Sequence, residues 1–147
     1  MRNTIRAILV ILVIPLVIDL AGGQNEKTLP KVRQLTPPKG IFPPLGGGRK
    51  ILALDTVQEL EKLVGAKAAP QLAKQVDFAK ERILFVSWST SGPPFGTLKF
   101  EVKAEDKSHV VEFCIQEPKA KVRGEALRLG ADYFAVPKVV NGRFRKE

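Results

Sequence analysis

The sequence predicts an α+β fold: one or two short helices followed by a mostly antiparallel sheet of about four to five strands. Three observations carry this. Thr56 and Glu59 form a capping box ahead of apolar residues at helical spacing. The run ILFVSWS over 83–89 is apolar on both faces, as a central, doubly covered strand requires. Leu98, Phe100 and Val102 alternate with Lys99, Glu101 and Lys103, the period-2 signature of a half-buried strand. One strand and two helices followed by a strand-rich half is the α+β order.

The chain has 147 residues, a formal net charge of +9, and one Cys, one His and one Trp. Neither a Cys/His zinc cluster nor a disulfide framework can be built from one Cys and one His. No cofactor is expected. Residues 1–23 read as a signal peptide. Arg2 and Arg6 give a positive start, an apolar run extends from Ala7 to Ile18, and Ala21 and Gly23 offer small residues before a cut ahead of Gln24. The apolar run falls short of the about 20 residues a spanning helix needs, and Pro15 lies within it. An uncleaved membrane anchor is the alternative. The expected location is exported, periplasmic or extracellular, with the membrane met only transiently. Cys114, between Phe113 and Ile115, is expected to be a buried, inert thiol.

Residues 24–49 read as a Pro/Gly-rich linker. Five prolines fall there, with the Gly46-Gly47-Gly48 run, and its apolar residues show no period. The alternative is that Ile41 and Phe42 pin this stretch to the domain. The glycine run does not make a phosphate loop, because Lys50 is followed by Ile51 and a strand rather than by Ser or Thr and a helix.

The folded domain is expected over residues 50–138, long enough for one modest core. Ile51 to Leu54 is a short strand. Val57, Leu60, Leu63 and Val64 share the face of the first helix, and Gly65 stops it. Pro70 suits the first turn of a second helix, with Leu72, Ala73 and Val76 turned inward. A turn follows at 77–82, in which the Asp77 side chain accepts backbone N–H groups. After the strands at 83–89 and 98–103, the segment 105–108 reads as a hairpin turn and 109–116 (HVVEFCIQ) as its antiparallel return strand. A last strand spans 133–136 and is closed by Pro137. Residues 139–147 are read as a loosely held basic tail.

No catalytic machinery is legible. A Ser-His-Asp arrangement would have to use His109, and no Gly-x-Ser-x-Gly elbow precedes any serine. His109 reads as a strand-edge residue. No enzyme activity is expected. Two stretches read as candidate contact surfaces. The first is SWSTSGPPFG over 87–96, where Trp88, Ser89, Ser91, Pro94 and Phe95 combine rigid, flexible, aromatic and hydroxyl groups. A plain hairpin connection with Trp88 in the core is the bland alternative. The second is a basic patch of Lys119, Lys121, Arg123 and Arg128, joined by Arg143, Arg145 and Lys146 of the tail. A solvated surface is its ordinary explanation. Nucleic acid is a poor fit, since stacking aromatics are few.

From Val76 onward, residues VDFAKE (76–81), the apolar strand 83–86, Ser91-Gly92, the strand 98–102 and FAVPK (134–138) resemble the C-terminal domain of PrcB. PrcB is an exported bacterial protein associated with a cell-surface protease complex. The resemblance covers residues 76–138. It implies a non-enzymatic domain that binds an as yet unknown protein partner, a protease or a protease-associated protein, and it carries over no catalytic residue. The family's Gly-Gly-aromatic sequence after the loop is replaced here by Gly92-Pro93-Pro94-Phe95-Gly96. The expected function is thus that of an exported, non-catalytic protein-binding and protease-modulating module. The alternative is a basic adhesin for anionic cell-envelope polymers.

Overall fold

A computed structural model describes residues 29–39, 47–91, 96–105, 108–116 and 127–146. The signal-peptide segment 1–23 lies outside the described residues, as do Ile41 and Phe42. In chain order the elements are β1 (Arg33–Gln34), β2 (Lys50–Leu54), α1 (Val57–Val64), α2 (Ala69–Ala73), β3 (Glu81–Ser91), β4 (Thr97–Glu105), β5 (Ser108–Gln116), β6 (Leu127–Pro137) and β7 (Val140–Phe144). Two short helices and mostly antiparallel strands make the fold roughly α+β.

The helices form as their local signals dictate. Glu59 N–H donates to Thr56 Oγ1 at 3.2 Å, and Thr56 N–H donates to Glu59 Oε2 at 3.2 Å. Gly65 ends α1 at φ 83°, a left-handed φ that favours glycine. Pro70 lies in the first turn of α2. In the following turn Ala79 N–H donates to Asp77 Oδ1 at 3.1 Å, as expected of an Asx residue.

The strands do not make one sheet. They make two, in the orders β1-β6-β3-β2 and β4-β5-β7. Alternation along β3 explains the layering. Ile83 and Phe85 join Leu54, Leu60, Leu72 and Tyr133 in a core under the helices. Leu84 and Val86 point the other way, into a core with Val111, Phe113, Phe134 and Val140. The four-stranded sheet therefore lies between a helical layer and the three-stranded sheet. Phe113 is central to the second core, with ring centroids 5.1 Å from Phe134 and 6.3 Å from Phe100.

The extra strands come from the two stretches read as linker and tail. In the former, β1 pairs antiparallel with β6, Leu35 N–H donates to Tyr133 O at 2.7 Å, and Leu35 is 3% exposed. Arg33 fixes this strand to the turn before β3, reaching Gln75 O at 3.2 Å and Glu81 at 2.8 Å. Two residues of strand are too short to show a period, so only the prolines around them were legible. The tail is corrected more completely. Residues Val140–Phe144 form β7, parallel to β5, and Arg145 N–H donates to Phe113 O at 2.8 Å. Val140 is fully buried, and Phe144 packs on the second core. Gly142 lets the two sheets approach: a Cβ there would stand 2.9 Å from Leu84 Cδ1 and 3.2 Å from Phe113.

β6 is also longer than the expected 133–136, reaching back to Leu127. Cys114 is a further correction. It is half-buried rather than enclosed in the core. Phe113 and Ile115 flank it along β5, but strand neighbours face opposite sides, so their apolar character says nothing of its own surroundings. It lies instead on the outward face, lining a shallow hollow with Lys99, Glu101 and Arg145.

Candidate functional site

The first candidate stretch is largely strand. Trp88, Ser89 and Ser91 all belong to β3, which pairs with β6 up to Ser91↔Leu127. Pro94 and Phe95 lie outside the described residues. Among the described residues only β6 pairs with this part of β3, because β2 ends its pairing at Lys50↔Ser87 and β1 reaches only Phe134 of β6. Residues 88–91 and 127–130 thus form a two-stranded ribbon extending past the rest of the four-stranded sheet.

The ribbon's faces differ. Trp88 is half-buried on the face turned toward the second sheet and lies across Gly130, its cross-strand partner. Any Cβ at position 130 would collide with the indole, so glycine there makes room for the ring. Thr90, on the same face, is 7% exposed, and its Oγ1 has no hydrogen-bond partner among the described residues. A Cβ at Gly96 would stand 3.2 Å from Thr90 Cγ2 and 2.8 Å from Ile115 Cγ2, which fixes the start of β4 against the ribbon. On the opposite face Ser89 Oγ accepts from Gly48 N–H at 3.0 Å. Across the ladder from Ser89, Leu129 is 40% exposed. Nearer the core, Asp132 pairs with Val86 in the ladder, and burial raises its carboxyl above the ordinary range, opposed by a hydrogen bond with Gln34.

The second candidate stretch meets the first here. Arg128 is exposed and pairs with Thr90 in the ladder. Lys119, Lys121 and Arg123 lie outside the described residues. The segment holding them joins Gln116 of β5 to Leu127 of β6, and Thr97↔Gln116 and Ser91↔Leu127 are both terminal ladder pairs. The connections 92–95 and 117–126 therefore leave the described structure at one end of the molecule.

The tail arginines are not with them. Arg143 and Arg145 lie on the outer face of the three-stranded sheet, around Glu112. This carboxylate, 7% exposed, sits on the middle strand. Lys103 Nζ and Arg145 Nε donate to its Oε2, the latter at 3.0 Å, and Arg143 Nη2 donates to its Oε1 at 3.2 Å. Arg143 also reaches Glu105 at 2.7 Å, and Arg145 reaches Glu101 at 2.9 Å. The hydrogen bonds from Lys103 and Arg145 hold the Glu112 carboxyl at about 2, against the opposing effect of burial. Lys103, Glu112, Arg143, Arg145 and Lys146 line a hollow of about 410 Å³ there. Sequence reasoning passed over this cluster. Its signal was Glu112 itself, a lone charge within the apolar strand HVVEFCIQ. His109 sits near the start of β5 but is flanked by Ala104 of β4 and Val140 of β7, so it lies on the middle strand of its sheet and not at an edge.

No family model, curated protein or solved structure matches the chain. The resemblance to the PrcB C-terminal domain rests on the residues quoted for it. Among the described residues no helix is long and apolar enough to cross a membrane.

Proposed function

We propose that this chain is an exported, non-catalytic protein-binding domain whose contact surface is the end of the β3–β6 ribbon. The partner is a protein, a protease or a protease-associated one on the PrcB-like reading. One observation supports this most: the terminal pairs Ser91↔Leu127 and Thr97↔Gln116 put the residues that flank 92–95 and 117–126 at one end of the described structure. Leu129 and Arg128 emerge on opposite faces of the ribbon, so a partner that grips its end meets an exposed apolar side chain on one face and an exposed arginine on the other. The alternative, a basic adhesin, loses support because Arg143 and Arg145 are engaged by Glu101, Glu105 and Glu112 on another face.

The test is a pull-down from the secreted or periplasmic fraction of the source cells, comparing the parent with Leu129→Asp and with Pro94→Ala/Phe95→Ala. Both variants should lose the partner while keeping the parent's melting temperature. Undiminished recovery by both variants would remove this reading. Binding that vanishes at about 0.5 M salt in the parent and is indifferent to Leu129 would favour the adhesin instead.

A further inference from the structure

We infer that the open edge of β2, with the hollow between β2 and α1, takes an extended acidic-apolar peptide as an added strand. β2 ends its sheet: its ladder runs to β3 on one side, and no strand pairs with the other among the described residues. In an antiparallel pair half of a strand's N–H and C=O groups point away from the partner, so this edge presents unpaired donors and acceptors along Lys50–Leu54. Beside it lies a hollow of about 300 Å³ lined by Leu52, Ala53, Leu54, Glu59, Lys62 and Leu63. Leu52 and Leu54 share one face of β2 with exposed Ala53 between them, so the hollow runs along the strand that carries the free edge. Main-chain pairing and a side-chain pocket are the two elements of strand addition.

The charge around the hollow selects the occupant. Lys62 lines it, and Lys50 is exposed on β2, on the same face as Leu52 and Leu54 by alternation. Neither lysine has an ion-pair or hydrogen-bond partner among the described residues. Glu59 keeps its charge while its Oε2 accepts from Asp55 N–H at 2.7 Å and Thr56 N–H at 3.2 Å, so Lys50 and Lys62 face this one carboxylate and the balance of the three is positive. A second copy is a poor occupant. It brings the same two lysines and a net charge of +9 to meet its like. A peptide with an apolar residue in the hollow and acids two positions to either side puts all three on the α1 side, within reach of Leu63, Lys50 and Lys62. This surface is separate from the ribbon end and stands without the proposal made for it.

The probe is a fluorescein-labelled Glu-Val-Leu-Val-Glu peptide, with Lys-Val-Leu-Val-Lys as its control, titrated against the full chain by anisotropy. The Glu-flanked peptide should bind, the control should not, and hydrogen exchange at β2 amides should slow on binding. Lys50→Glu/Lys62→Glu, with both substitutions on the surface, should keep the parent's melting temperature. It should weaken the Glu-flanked peptide about tenfold and bind the control instead. Leu129→Asp should leave this binding unchanged. The inference is overturned if the Glu-flanked peptide does not bind, if the two peptides bind alike, or if the charge reversal leaves affinity unmoved. It is equally overturned if sedimentation shows a dimer whose β2 amides are already protected without peptide.

Discussion

Val140→Ala tests whether the C-terminal stretch is part of the core. Val140 is fully buried, pairs with His109 of β5, and packs with Leu84, Val86, Val111, Phe113, Phe134 and Val136. The substitution removes two methyl groups' worth of buried apolar surface, about 1.6 kcal/mol by transfer. The surrounding core belongs to two sheets held by separate ladders, so it closes only partly over the gap. A modest cavity contribution brings the loss to about 2 kcal/mol. For a domain near this size that lowers the melting temperature by about 10 °C. Urea denaturation followed by Trp88 fluorescence measures it, with Val139→Ala as control because Val139 is 73% exposed and should shift stability by under about 0.5 kcal/mol. If Val140→Ala proves as mild as the control, β7 is not a core strand, and the layering argument fails with it.

Leu35→Ala should cost about 2–3 kcal/mol in the same assay, since Leu35 is buried beside Tyr133; an unchanged midpoint would return residues 29–39 to the status of a tether. The Glu112 carboxyl ordinarily titrates at 4.5 and is held at about 2 in the fold by Lys103, Arg145 and Arg143. Because the folded value is the lower, its stabilising effect is fully present above pH 4.5 and is lost as pH falls through about 2. Glu112→Gln should therefore be less stable than the parent at neutral pH and should show a flatter decline across that acid window in thermal melts. An acid limb identical to the parent's would show that this cluster does not couple to folding.

The PrcB-like reading and the peptide reading make different demands on the same scaffold. The ribbon end needs side chains presented beyond the sheet, and β3 and β6 supply this by outrunning β1 and β2. The β2 edge needs backbone groups left unpaired beside an apolar hollow, and the position of α1 supplies that. The outer face of the three-stranded sheet is instead closed by its own charges, since three cations converge on Glu112.

What the sequence determined by itself was local. The capping box at Thr56, the stop at Gly65, the Asp77 turn and the β4–β5 hairpin depend on residues within a few positions of one another. The doubly apolar character of β3 was also legible, because it was written in consecutive residues. Only the tertiary structure decided which strands share a sheet, because that depends on ladders between residues far apart in the chain. The two-residue β1 has no period to read, and β7 hides its alternation of Val140, Gly142 and Phe144 among charges that suggested a loose tail. The same holds for the candidate sites: Glu112 meets Arg143 and Arg145 only once β7 has come to lie beside β5, and the β2 hollow exists only because α1 folds back over an unpaired edge.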